Sequence, residues 1–526
     1  MKLPLAIPLL LLTAPLRAAA PPQPTLPVKE TMVDSLALVV VPNSLVVSPD
    51  SSRVALLAKA GDTTLADRGV FLGADDSDSV NPANDSAQPK HEPIRLYLDG
   101  HSGAAFDSMT IPVFSPDSKH VGFTGLRDKK WHVVLDTKTV TQDGDDIPGV
   151  PIVFSPDSAI AVWAVQRGSQ FFVTVGDRHW PAIDANNIGT PLFSPDSKHV
   201  ALAVRRRTAW MLYVDGKPLP LPDPPPARPG RAADTAHLDR FTQLGWRPDS
   251  AALAYFAAFA GSGWQCFLQN SDGQFLSASQ PFEDALGQAP IFSEDSQDFA
   301  FAAENRKAWS IFLDGKPFPA SYEQLLPASL NLLTTAPPAA PPAAATNLVV
   351  LARSHEHWQL LRDGTPVGDP FDAIIPNTFI TSPDHQHFAF AALRNHQTVI
   401  VRDGVQLAAC DEAAAGTFAF SPDSRHLAYG ARNGGIWSAC IDGAPGAPLA
   451  AFAATPIAFS PDSSRIAYDA TITPKSWRLI VGQDAAQASK PFDAFLKGTK
   501  VVWRPDGTIV TLAIEKKVAM RIEATP

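Results

Sequence analysis

The sequence is poor in several things at once, and each scarcity excludes a class. Three cysteines (Cys266, Cys410 and Cys440) in 526 residues cannot supply a disulfide framework. Cys410 and Cys440 could pair with each other; buried free thiols are the alternative reading. Charged residues are only 18% of the chain, and 43 Lys and Arg against 53 Asp and Glu leave a net charge of -10. That balance argues against a general nucleic-acid binder. No run beyond residue 20 reaches 18 consecutive apolar residues, so no helical membrane span is expected in the remainder. Catalytic signatures are missing as well: no G-x-S-x-G elbow, no G-x-x-x-x-G-K, no H-E-x-x-H and no paired C-x-x-C. No catalytic residue, cofactor or metal site is therefore assigned from the sequence.

What is abundant is proline, 50 residues, beside 32 glycines and a 45% hydrophobic content. Many turns between short apolar elements is the natural reading. The first twenty residues, MKLPLAIPLLLLTAPLRAAA, join a positive start at Lys2, an apolar stretch over 3–12 and small residues at 18–20. They read as a secretory signal, which places the mature chain in the periplasm or outside the cell. A short linker is expected over 21–33 and the folded array over 34–526.

Self-similarity organises that array. One motif recurs, as VFSPDSKHVGFTG from Val113, LFSPDSKHVALAV from Leu192, AFSPDSRHLAYGA from Ala419 and AFSPDSSRIAYDA from Ala458. Its aspartates are Asp50, Asp117, Asp157, Asp196, Asp249, Asp295, Asp384, Asp423, Asp462 and Asp506, separated by 67, 40, 39, 53, 46, 89, 39, 39 and 44 residues. The gap of 89 is two periods. A degraded copy fits inside it, with LNLLTT (330–335), NLVVLAR (347–353) and HWQLLRDG (357–364) around APPAAPPAAA. In each unit a short apolar run precedes Ser-Pro-Asp-Ser, a tight turn in which proline presets φ and Asp and Ser bond nearby amides. A second apolar run follows, then a third that often opens on Trp and closes on Asp-Gly, then a weaker fourth such as KPFDAFL (490–496). Four short strands at a period of about 40 residues specify one blade of a β-propeller.

The F-S-P-D-S/G turn, apolar strand, Trp strand and Asp-Gly turn resemble the WD-repeat-like repeats of TolB-type periplasmic propellers. The propellers attached to prolyl-oligopeptidase-type enzymes carry similar repeats. The resemblance covers about residues 40–526 and implies an all-β propeller of about eleven four-stranded units. The repeats run almost to Pro526, so no α/β-hydrolase domain is expected. Eleven units fit one large ring or two packed propellers, with a possible seam in the proline-rich stretch 218–234 giving 34–217 and 235–526. The spare run DSLALVVV (34–41) is expected to complete the last unit, which stops one strand short.

Candidate sites are few. His120, His199, His387 and His426 each fall three residues after a motif aspartate and read as structural. His355-Glu356-His357 could offer two imidazoles to a metal but shows no third ligand. Asp75, Asp76, Asp78 and Asp85, and Asp143, Asp145 and Asp146, lack the spacing of a calcium loop. The loop between second and third strands repeatedly carries a base, among them Arg127, Lys130, Arg206, Arg306, Arg353, Arg394 and Arg432. These share one face with fourth-strand acids such as Asp107, Asp184, Asp284, Asp372 and Asp493. They form either a surface for an anionic or acidic partner or ion pairs that fix blade geometry. The expected function is an exported, non-enzymatic scaffold for a protein, peptide or glycan partner, with no nucleic acid. The alternative is a lactonase-, lyase- or glycosidase-type propeller with its site in the central channel.

Overall fold

The computed structural model describes residues 26–526 except 36–38, 42–43, 60–92, 100, 137, 145–151, 221, 223–236, 260–261, 286, 334–346, 454, 497–498 and 517. Among the described residues there is no α-helix; the one helical element is a 3-10 turn, Pro327–Ser329. Everything else is antiparallel strand and turn. Ten hydrogen-bonded sheets form, one of them nine-stranded and joining two repeat units through the pair Trp210↔Leu238. Counting that sheet twice gives eleven blades, the number of repeat units in the sequence. The degraded copy is a full blade, with strands at Asn331–Leu333, Asn347–Ser354 and His357–Arg362.

Within a blade the second strand is buried along nearly its whole length, because both faces of the sheet are covered. Its composition sets the packing. In blade 6, Phe299 and Phe301 face the core shared with blade 5, while Ala300 and Ala302 face the core shared with blade 7. Blade 8 repeats this with Phe388 and Phe390 on one side and Ala389 and Ala391 on the other. Between blades 5 and 6 the phenylalanine face meets Ala252 and Ala254, and the alanine faces of blades 6 and 8 meet Leu348 with Val350 and Leu427 with Tyr429, which lets neighbouring sheets approach closely.

These apolar clusters run in one cyclic order. Each successive pair of blades shares a cluster, and the eleventh joins the last blade to the first through Leu496, Leu512 and Val54. The proline-rich stretch does not interrupt that order. The blades before and after it pack through Leu212, Val214, Leu253 and Tyr255, and Trp246 Nε1 donates to Leu192 O at 3.1 Å. The observed arrangement is therefore one ring and not two propellers.

The closing strand is not DSLALVVV. Val28–Ser35 pairs antiparallel with Val518–Ala524 as the outermost strand of blade 11, whereas Val39–Val40 is the innermost strand of blade 1. An outermost strand is half-exposed and tolerates polar residues such as Lys29 and Glu30. KPFDAFL likewise divides between blades. Phe492 bridges to Trp477 of blade 10, while Ala494–Phe495 pairs with the second strand of blade 11.

The Ser-Pro-Asp-Ser turns hold the ring at its inner edge. In blade 2, Ser115 Oγ donates to Asp117 Oδ1 at 2.6 Å and accepts from the His120 amide at 3.0 Å. The Asp117 amide then donates to Ser158 Oγ of blade 3 at 3.0 Å. The same inter-blade bond recurs from Asp50, Asp157, Asp196, Asp249, Asp384 and Asp423 to Ser118, Ser197, Ser250, Ser296, Ser424 and Ser463. At the junction of last and first blades the Lys500 amide donates to Ser51 Oγ at 3.1 Å. A hydrogen bond from Ser194 and one from Ser460 hold the Asp196 and Asp462 carboxyls down at about 2. Ser424 is buried, so Ser424→Ala orphans the Asp384 amide between blades 8 and 9. The expected cost is about 1–2 kcal/mol, read as a lower urea midpoint at unchanged m-value.

Candidate functional site

Because adjacent Ser-Pro-Asp-Ser turns touch while fourth strands are largely exposed, first strands line the axis. Their described residues carry few titratable side chains: Asp239, Arg240, Asp284 and Glu412 at the loop-face ends, and Lys500 near the other end. Among the described residues no three His, Cys, Asp or Glu side chains converge as a metal site. The acidic residues Asp75, Asp76, Asp78, Asp85, Asp145 and Asp146 lie outside the described residues, as does the side chain of Asp143.

The recurrent histidines belong to the turn face. His120, His199, His387 and His426 sit 2.7, 2.7, 2.8 and 2.6 Å from Asp136, Asp215, Asp403 and Asp442, the aspartates that close the third strands. The other oxygen of each aspartate accepts the amide of the residue after the histidine. Arg53 takes the same place in blade 1, with Nε 2.8 Å from Asp99. These pairs tie the mouth of the second strand to the end of the third.

The opposite face carries the hairpins between second and third strands, together with the crossings from one blade to the next. Here the seven bases singled out in the sequence are spread over six blades. Arg127 lies over the Phe106 ring at 5.4 Å, and Arg394 over Phe371 at 4.6 Å with Nη2 bonded to Asp369 O at 3.1 Å. Arg432 pairs with Glu412 and covers Trp437, and Arg206 is 3.4 Å from Asp184. Arg353 Nη1 donates weakly to Gln324 at 3.4 Å, and Lys130 opens the third strand of blade 2. Arg306 is exposed at a hairpin tip with φ +51°, and its amide donates to Glu283 Oε2 at 2.8 Å.

That last contact is a pattern the sequence reading missed. An acid in the crossing before a blade accepts the amide of that blade's hairpin: Glu323 from His355, Asp411 from Gly434 at 2.7 Å, and Asp493 from Lys516 at 2.7 Å. Tip residues such as Arg306 with Lys307, and His355 with Glu356, have positive φ, the geometry of a type I′ turn. Some of the acids therefore cap backbone, and others pair with bases, as Asp184 does with Arg206 and Glu412 with Arg432. His355 and His357 diverge accordingly, the first against Ser354 and the second 3.9 Å from Asp372. Asp411→Ala is expected to cost about 1 kcal/mol in urea unfolding, while Arg306→Ala stays within about 0.5 kcal/mol.

The three cysteines are free and buried. Burial, with Cys440 nearby, pushes the Cys410 thiol up to about 11, so neither this thiol nor the deeply buried Cys266 has thiolate character.

No family model and no curated protein match this chain. Solved structures do. TolB from Acinetobacter baumannii aligns at 14% identity and a TM-score of 0.25 over 44% of this chain. The chain spans 60% of that protein's length. A eukaryotic initiation factor aligns at 14% identity and 0.36 over 72% of this chain and 96% of its own, and the Dos1 propeller at 10% and 0.28 over 78% and 94%. No helix among the described residues is long and apolar enough to cross a membrane. From the order of its sheets and their cyclic packing, the chain is an all-β propeller of four-stranded blades.

Proposed function

We propose that this propeller is a non-enzymatic binding scaffold, exported to the cell envelope, that recognises a protein, peptide or glycan partner through its hairpin face. The observation that carries this is the composition of the axis-facing strands. A channel enzyme needs acid, base or nucleophile side chains from several blades meeting at one mouth. The described first strands offer apolar and small residues there, as in Ile152–Phe154, Leu192–Phe193 and Ala458–Phe459. Distinctive side chains are instead on the hairpins, held by a rigid ring. Side chains carried on loops of a rigid frame are where recognition is usually built. Export rests on the N-terminal signal-like segment, which lies outside the described residues.

The test is retention of a partner from an envelope extract of the source organism by the immobilised mature chain, identified by mass spectrometry. Recovery of one partner, competed by free propeller, supports the scaffold. No retained partner together with turnover of a lactone, a uronide or a glycoside by the purified chain overturns it.

A further inference from the structure

The hairpin face is not uniform, and one sector departs from the rest. In blades 6, 7, 9 and 11 the hairpin amide is capped by a carboxylate, from Glu283, Glu323, Asp411 and Asp493. In blade 4 the cap is the neutral Asn186, which accepts from the Arg207 amide. The hairpin it caps carries Arg205, Arg206 and Arg207, all exposed. Arg167 is exposed at the tip of blade 3, and Arg240 at the loop-face end of the first strand of blade 5. Against these five arginines the described residues of the sector set two carboxylates, Asp184 and Asp239.

Half-buried aromatic rings lie among the guanidinium groups. Arg167 covers Phe172 at 4.9 Å and Arg240 covers Trp264 at 4.6 Å, while Trp210 stacks on Phe241 with ring centres 6.1 Å apart. The platform is rigid, because blades 4 and 5 share the nine-stranded sheet. Arginine beside a partly buried aromatic ring is the composition of a protein-interaction hot spot, and the guanidinium fork matches a carboxylate. The ion pair of Arg206 with Asp184 is more than half exposed on both sides and competes little with an incoming ligand.

We infer that this sector of blades 3 to 5 docks a short acidic segment of a partner polypeptide; the inference rests on the scaffold reading and names its partner's chemistry. A uniform polyanion fits poorly. Beyond the sector the same face is mixed in sign, with Asp107 and Asp128 beside Arg127, Lys129 and Lys130 on one side and Glu283, Asp284 and Glu304 beside Arg306 and Lys307 on the other. A ligand charged along its whole length would meet those carboxylates, whereas a short cluster of carboxylates with neutral flanks would not.

The test uses a fluorescein-labelled peptide with a hexaglutamate core and glycine-serine flanks, followed by anisotropy at low salt. Two triple variants remove the same charge. One carries Arg205→Ser, Arg206→Ser and Arg207→Asn; the other carries Lys119→Ser, Lys198→Ser and Arg425→Ser on the turn face. The first is expected to weaken binding about tenfold or more and the second less than about twofold, with thermal midpoints matching the wild type. Failure of the wild-type chain to bind, or equal loss in both triples, overturns the inference. So does tighter, Arg-dependent binding of heparin or of a single-stranded oligonucleotide, which would name a different partner class. The scaffold reading is judged separately: an envelope partner retained equally by the wild type and the first triple preserves the scaffold while removing this sector from it.

Discussion

Replacing Asp469 by alanine or asparagine is expected to stabilise the propeller at neutral pH, and by more as the pH rises. Asp469 lies in the second strand of blade 10, only 1% exposed, facing blade 11. Thr511 Oγ1 is 3.5 Å from one carboxyl oxygen, and the other has no partner. Burial pushes this carboxyl well above the ordinary range, since no cation compensates the charged form. The sign follows. An unfolded aspartate ionises near pH 4, whereas the folded one still holds its proton, so above pH 4 the native state binds more protons and folding stability falls with rising pH. The slope is at most about 1.4 kcal/mol per pH unit and continues until the folded group itself ionises. Between pH 4 and 7 the difference between variant and wild type therefore grows by up to about 4 kcal/mol.

The repeat itself indicates the substitution. The equivalent positions in blades 4, 6, 8 and 9 are Ala203, Ala302, Ala391 and Gly430, small residues on the face meeting the next blade. Asparagine keeps the volume of aspartate and alanine restores the repeat, so the pair separates charge from packing. Urea midpoints at pH 4.5, 6 and 7.5 give the answer. Differences that open with pH in both variants are the expected result; a constant offset would show that Asp469 has an ordinary titration in the folded chain. The Ser-bonded motif aspartates do not interfere, because their depressed carboxyls, exemplified by Asp196, lose stability only as the pH falls below 4.

Much of the fold was legible because a ring of blades writes its period into the chain. Ser-Pro-Asp-Ser needs its residue types for local reasons. Ser115 closes on Asp117, and Ser118 sits at φ +65° with its hydroxyl accepting from the preceding blade. Even the departures from the motif make sense afterwards. In the W-R-P-D units, Trp246 and Trp503 each send their indole N–H to a carbonyl of the preceding blade, and Arg247 replaces serine as the partner of Asp249. The order of blades was less legible, since one ring and two rings share the same repeat. Only contacts far apart in sequence, such as Leu496 with Val54, distinguish them.

The hairpin face was only partly legible for a related reason. Its bases are conspicuous because they cluster at turns, but their partners lie across a blade crossing. Glu283 and Arg306 are 23 residues apart, and Glu323 and His355 are 32 apart. Nothing in the local sequence says that the carboxylate seeks the amide and not the neighbouring guanidinium. The exceptional cap, Asn186, looked unremarkable for the same reason. Its meaning came from comparison with the caps of the other blades.

Removing the chain up to Ser35 is expected to open the ring. The two ends of the array are held together without a covalent link, through seven paired residues of Val28–Ser35 and Val518–Ala524. Leu26 is buried in the core between blades 10 and 11, and its amide donates to Ala488 O at 3.1 Å. Lys490 joins Glu30 at 2.8 Å to Glu515 at 2.7 Å, tying the added strand to both blades. Each backbone bond contributes about 1 kcal/mol net, so the strand, its ion pairs and Leu26 together amount to roughly 5 kcal/mol or more. Loss of that energy is half of the effect. The other half is the exposed edge of Val518–Ala524, which presents unpaired amides and carbonyls to any other strand and so promotes association between copies. A chain beginning at residue 36 should therefore unfold at markedly lower urea and elute as larger aggregate in light-scattering chromatography than a control beginning at residue 21. A synthetic peptide of residues 24–35 added in trans should restore part of both properties, since the empty edge accepts a strand of the same register. A truncated chain that stays monomeric with an unchanged midpoint would mean that the ring closes through its apolar clusters alone and that the added strand is dispensable.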